Sequence, residues 1–492
     1  MVSLPRMATT KKKTATRKTA TRTTRRRAAI RNLELEEQIA RTPDDPAPYL
    51  VYADWLEQVG EPRGELAAIQ AAQIEARGAE LARLLVAEQE LLEREAKHFY
   101  GPLARFRAAR RTHLSWHCGF VRAIDGSFNP EAAAGFLAHA SARLVQRLSM
   151  VELIGPPSLL THLTTASQSD LSWVWTAPRL QELRVASWGE PTVGRPEHAR
   201  LRLLHVHAPG EALLRGLARA DLPRLETLSL TGLPPARARL LGPVLERLPD
   251  AAVTLGLQPG FDEGTYDGLA EVCGRATGLV LDNVGAGPLR QLSSLDLSRV
   301  ATLEVRTASG DVRDTMFGEL PPLPALRAVE LGYPSDLVRY FRGFAHSELA
   351  GRIERLSAVV SRPGAGRALV EGRYERLVEL ELSFDPMSGA EYLQSARVLG
   401  GEAFPRVRAL RLAPARHVEA LAGTALGARI ERLRVPVDRD RDARQLLDHV
   451  GRLSGLKTLE LEGERVLSPE VLRGLLCAVP DVRWRPPPWD PR

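Results

Sequence analysis

One short pattern recurs along most of this chain and limits what the chain can fold into. Leu-x-x-Leu-x-Leu, with Val or Ile admitted at the apolar positions, occurs as LQELRV (180–185), LETLSL (225–230), VATLEV (300–305) and LRAVEL (326–331). It returns as LVELEL (377–382), VRALRL (407–412), IERLRV (430–435) and LKTLEL (456–461), with weaker copies LRLLHV (201–206), VTLGL (253–257) and TGLVL (277–281). Most intervals between the last apolar residues are 21 to 30 residues, and the one double gap, near 356, holds IERLSAVV. The terminal Leu-x-Leu puts two apolar side chains on one face of a strand. A unit this short cannot bury a core alone, so such units must stack. Stretches such as PPARARLLGPVLERL and DRDARQLLDHVGRL then return the chain as helices.

The period resembles that of leucine-rich repeats. The expected fold class is α/β: a solenoid over 113–482 made of a parallel sheet plus return helices. That repeat usually carries Asn three residues past the last strand leucine, where it satisfies turn carbonyls; here Trp188, Leu233 and Val284 stand in three copies. The array is therefore degenerate. The end, RWRPPPWDPR (483–492), reads as a Pro-rich terminal cap that continues neither helix nor strand.

Two different sequences precede the repeats. Residues 1–28 hold ten basic side chains and no acidic one: Arg6, Lys11, Lys12, Lys13, Arg17, Lys18, Arg22, Arg25, Arg26 and Arg27. Taking that +10 from the chain's net +7 leaves −3 for the remainder. A segment of Lys, Arg, Thr and Ala buries too little apolar surface to offset its ordering entropy, so a disordered tail is expected. Residues 29–112 turn helical. Leu33, Leu35 and Ile39 form one apolar face, Tyr49, Leu50, Tyr52, Ala53 and Leu56 a second, Leu66, Ile69 and Ile74 a third, and Leu81, Leu84, Leu85 and Leu91 a fourth. This is a small helical head.

Within the head, PDDPAPYLVYADWLEQVGEPRGELAAIQ resembles the repeat-companion domain, a short module found beside leucine-rich-type repeats in bacterial proteins (about 33–73 here). The residues carrying the resemblance are Ala53, Asp54, Trp55, Leu56, Glu57, Gly60, Pro62, Arg63, Gly64 and Glu65. Trp116, Gly119, Phe120 and Val121 resemble the segment leading such proteins into their repeats. The resemblance implies no catalytic residues.

Chemistry-bearing motifs are scarce. No GxxxxGK[ST], HExxH or GxSxG occurs, so no enzyme activity, cofactor or metal is expected. Cys118, Cys273 and Cys477 have no paired spacing and read as free thiols of a reducing compartment; the cytoplasm is the expected location. No apolar run reaches the roughly 18 residues of a membrane span. His117 and Cys118, adjacent on a strand, should face opposite ways and not form an activated pair. His205 and His207 share a face without an evident third ligand. Asp44 and Asp45 suit helix capping, and Asp54 with Arg63 suits a bond tying the second helix to the next turn.

The sheet face is the expected functional surface. Reading the position between the two strand leucines gives Arg184, His205, Ser229, Glu304, Glu330, Glu381, Arg411, Arg434 and Glu460. These form a charge-banded face for a protein partner, unless Glu381 with Arg411 and Arg434 with Glu460 merely pair across adjacent strands. The expectation is a non-enzymatic, monomeric protein–protein interaction scaffold binding an unidentified protein through that face. The alternative is a nucleic-acid-associated protein in which Lys11, Lys12, Lys13, Arg17, Lys18, Arg22, Arg25, Arg26 and Arg27 hold DNA or RNA phosphates without sequence preference.

Overall fold

The structure is a computed structural model. It describes residues 30–485 apart from 77, 106–111, 127–129, 151–158, 167–169, 187–192, 258–268, 283–288, 290, 307–314, 333–336, 361, 385–401, 438–439 and 464–466. The basic residues of 1–28 and the terminal 486–492 lie outside the described residues.

Seventeen strands form one sheet. The first nine are β1 (Thr112–His117), β2 (Phe120–Gly126), β3 (Arg147–Met150), β4 (His162–Ala166), β5 (Glu182–Ala186), β6 (Leu203–His207), β7 (Thr227–Leu233), β8 (Ala252–Leu257) and β9 (Ala276–Leu281). The rest are β10 (Thr302–Val305), β11 (Ala328–Leu331), β12 (Arg355–Val360), β13 (Glu379–Phe384), β14 (Ala409–Ala413), β15 (Arg432–Pro436), β16 (Thr458–Glu462) and β17 (Asp481–Arg485). β1 and β2 make an antiparallel hairpin, and from β2 onward each strand pairs in parallel with the next in sequence. That order is the signature of a solenoid: an α/β array in which each unit touches its neighbours.

Every Leu-x-x-Leu-x-Leu copy ends in one of these strands, and most alternate as expected; in β8, β9 and β16 the residue between the last two apolar positions is buried as well. Leu380 and Leu382 are buried while Glu381 between them reaches solvent. The inward side chains join one continuous core running from Ala82 to Val479. The terminal stretch departs from expectation. Arg483, Trp484 and Arg485 do not belong to a cap but complete β17, pairing with Glu460, Leu461 and Glu462; the prolines begin only after them.

Without the usual asparagines, turn carbonyls are satisfied by other means. The carbonyl just before most strands accepts two successive N–H groups of the next repeat. Gln146 accepts from Thr161 and His162, Thr161 from Gln181 and Glu182, Gln181 from Arg202 and Leu203, and so to Glu431, which accepts from Lys457 and Thr458. Arginines close the return helices. Arg247 Nε donates to Ala220 O (2.7 Å), and Arg275 donates to the carbonyls of Leu248 (3.1 Å) and Pro249 (2.8 Å). Buried main-chain acceptors need such partners. Leu233, standing where Asn was expected, is core at 1% exposure; Trp188 and Val284 lie outside the described residues.

The head holds α1 (Leu33–Arg41), α2 (Pro46–Gln58), α3 (Arg63–Glu75), α4 (Gly78–Arg94) and α5 (Ala96–Tyr100). Ile39, Tyr49, Tyr52, Ala53 and Leu56 pack with Phe120 of β2, while Leu66, Leu91 and Phe99 pack against Trp116 of β1. Leu33, Leu50 and Ile74, placed on apolar faces by periodicity, are instead exposed. At the far end of the array, the helix Pro469–Ala478 packs on α4.

Candidate functional site

Outward positions of the sheet do not form the single row that counting from the leucines implies. Arg184, His205 and Ser229 are in register with one another, and the row continues through Thr254 and Gly278 to Thr302. Glu304 lies one dipeptide further on, in register with Val280 and Gly256 on one side and with Glu330, Ser357, Glu381, Arg411, Arg434 and Glu460 on the other. The step falls at β7–β9, where the pairing is irregular between Leu230 and Leu233 and again between Val253 and Thr254. The rows themselves run through in register; it is the apolar pair that moves along the strand, since Leu230, the second of β7, stands in line with Leu255, Leu279 and Leu303, the first of β10.

The first row is imidazole and hydroxyl chemistry. His205 Nδ1 lies 2.8 Å from Ser229 Oγ, and His207 Nδ1 lies 3.1 Å from Thr231 Oγ1. Burial, with Arg184, Arg306 and His207 acting the same way, pulls His205 down to about 4, so it is neutral at physiological pH. Burial and Arg306 also lower His207, against Asp282. Among the described residues, no three His, Cys, Asp or Glu side chains gather as a metal site would require.

The second row is a charge ladder. Arg306 Nε meets Glu304 at 2.6 Å. Arg411 bonds Glu381 and, at 2.9 Å, Glu462; Arg434 reaches Glu460 at 2.9 Å and Glu462 at 3.4 Å. The two carboxylates at the end of this network are enclosed, Glu460 at 1% and Glu462 at 2% side-chain exposure. The cross-strand pairing weighed for Glu381, Arg411, Arg434 and Glu460 is therefore present. Glu460 cannot be a surface contact as placed: it is buried and neutralises its neighbours. Sequence reading missed Glu462 and Arg306. Each lies two residues past a named position, so alternation carried beyond the last leucine would have found both.

The motif residues of the head hold elements together. Asp45 caps α2 by accepting from Ala47 N (2.9 Å), but Asp44, read as a cap, instead pairs with Arg122 of β2 and ties the head to the array. Asp54 is exposed and is not the partner of Arg63. Arg63, 2% exposed, donates from Nε to Glu61 at 2.9 Å and lies over the Phe120 ring at 5.8 Å. Burial pushes Glu61 up, yet His98 and Arg63 together pull it down to about 2. Gly64 admits no side chain, since a Cβ would lie 2.7 Å from Ala53 O on α2. Gly60 takes positive φ in the turn after α2, Pro62 precedes α3, Trp55 tilts against Tyr52, and Glu65 meets Arg94 at 3.2 Å. Ala53 and Leu56 are core.

His117 and Cys118 are not on opposite faces as expected. Cys118 sits in the hairpin turn with φ +44°, and its Sγ comes within 3.9 Å of His117 Nε2. The pair is nonetheless quiet. Burial raises the thiol to about 11 and lowers the imidazole to about 4, the reverse of a thiolate–imidazolium pair.

Among the described residues, no helix is long and apolar enough to cross a membrane. No family model matches the chain, and no curated protein matches it in sequence.

Proposed function

We propose that this chain is a non-enzymatic interaction scaffold, a solenoid of the leucine-rich-repeat type that grips a protein partner with the sheet face of β5 to β11. The head, resembling the repeat-companion domain, seats the first strands. The carrying observation is the burial pattern of that face. Arg184, His205, Glu304 and Glu330 all reach solvent from strands whose alternate residues are wholly in the core. Solvated polar side chains on a rigid curved sheet supply directional contacts without a folding cost at binding. The network from Glu381 to Glu460 is internally paired and serves as the rigid flank of the surface.

A photo-crosslinking side chain placed at His205 or Glu330 tests the reading, with Arg352 on an exposed return helix as control. The expected result is one discrete adduct shared by the two face positions and missing at the control. Equal adducts at Arg352 would remove the face from consideration. The His205 cross-linking variant carrying Arg184→Glu with Glu330→Arg should lose roughly tenfold in capture, the equivalent of about 1.4 kcal/mol.

A further inference from the structure

The array does not end in solvent: its two ends meet through the head. α3 sits on the β1–β2 turn so closely that a Cβ on Gly119 would lie 2.5 Å from Arg63 O. α4 packs on the helix Pro469–Ala478 of the last repeat. Ala82 and Leu85 of α4 share one core with Leu472, Leu475 and Val479 of that repeat. α4 is thus the closing piece of a ring, with Leu91 and Leu92 turned to the head core. The curvature is tight enough for Arg306, at the end of β10, to act on His205 and His207 of β6.

Seventeen strands spaced about 4.8 Å apart, if bent round until their ends meet, would bound a backbone circle roughly 26 Å across. Side chains from opposite walls leave about 14 Å, enough for an extended chain or one helix of about 10–12 Å but not for a folded domain. The face inside is therefore matched to a segment. It is most acidic over β9–β13, where Asp282, Glu304, Glu330, Glu379 and Glu381 stand against Arg306, Arg355 and, from β14, the Arg411 that bonds Glu381.

This chain carries such a segment itself. Ahead of Ile30, whose carbonyl accepts from Arg143 Nη1 at 2.7 Å, lie the first 28 residues with ten cations and no acid. A polar chain of that length spans about 29 Å on average, and more when extended, comparable to the width of the ring. We propose that the Lys/Arg-rich residues 1–28 dock inside the ring against the carboxylates of β9–β13. This rests on the sheet face being the functional surface.

Lysine usage makes the test selective, because four of the chain's six lysines are Lys11, Lys12, Lys13 and Lys18. Carbodiimide cross-linking of the full-length protein, mixed with an isotopically labelled copy and read by mass spectrometry, joins lysines directly to carboxylates in contact. Expected are links within one chain from those lysines to Glu304, Glu330, Glu379 or Glu381. They should be lost near 1 M salt, where screening acts within about 3 Å. Glu330→Gln with Glu379→Gln should lower the remaining links about tenfold. Tail links spread equally over outer carboxylates such as Glu246 and Glu348, links only between copies, or tail lysines protected solely by added duplex DNA would each overturn self-docking. None of those results touches the photo-crosslinking at His205, which lies outside β9–β13, so the two readings fail separately.

Discussion

From β5 to β7 the outward positions carry imidazoles and hydroxyls, His205 on Ser229 and His207 on Thr231. From β13 to β16 they carry guanidinium and carboxylate, with Glu460 and Glu462 enclosed between Arg411 and Arg434. The same inward leucines underlie both regions. What separates them is a step of one dipeptide at β7–β9, where Glu226 O, just before β7, accepts from Ala252 N alone among the bonds outside the strands. A repeat fold fixes the core positions and leaves the outward chemistry free. The second region is tied together by one internal network, from Glu381 through Arg411, Glu462 and Arg434 to Glu460.

The widest separation between them should appear on removing one charge. Arg434→Met leaves Glu460 and Glu462 buried with one cation fewer, and stability should fall by about 3–5 kcal/mol. His205→Gln, which keeps a hydrogen-bonding group toward Ser229, should cost under about 1 kcal/mol at neutral pH. Chemical denaturation compares them directly; equal losses would erase the distinction. Pairing Arg434→Met with Glu460→Leu should recover part of the loss.

The join between the regions can be broken at Gly278. A Cβ there would lie 2.5 Å from Thr254 Oγ1 and 2.7 Å from Thr302 Oγ1, on the strands to either side. Gly278→Val should therefore cost about 1–3 kcal/mol, and Thr254→Ala with Thr302→Ala in that background should restore most of it. A neutral Gly278→Val would mean that β8 and β9 can slide, and that the step is not fixed.

How far these features could be read from the sequence follows from side-chain size. β10, β13 and β16 announce themselves because leucine or valine fills both inward positions. β3 and β4 do not: Leu148 and Leu163 mark only the first position, and in β4 the second is Thr165, polar yet 1% exposed. β17 hides behind Arg483 and Arg485. In the head, helical periodicity locates α1, α2 and α3 but not which way they turn, so it puts Leu33, Leu50 and Ile74 on buried faces although they meet water. The buried pair Arg63–Glu61 escapes in favour of Asp54, because a two-residue hydrogen bond has no helical spacing to betray it. Ring closure leaves least trace of all, since α4 meets the last repeat through Ala82 and Leu85, residues any helix carries.

Acid offers the gentlest way to sharpen the comparison. His205 is held near 4 in the fold against an ordinary value of about 6.5 when unfolded. Between those limits the unfolded chain binds a proton that the folded chain refuses, so stability rises with pH across this window. The contribution is complete above about 6.5 and lost as pH falls toward 4. Burial leads, and Arg184, Arg306 and His207 oppose its protonation alongside it. His117 and His139 in the head and its approach, and His417 beyond β14, are depressed to about 4 as well and give the whole molecule the same slope. Against that background, His205→Gln should lose less stability than the native chain between pH 7 and 4.5, by about 1 kcal/mol once partial solvation is allowed for. Thermal unfolding followed across that range decides it. Parallel curves would mean that His205 accepts its proton inside the fold, and that the first region tolerates charge as readily as the second.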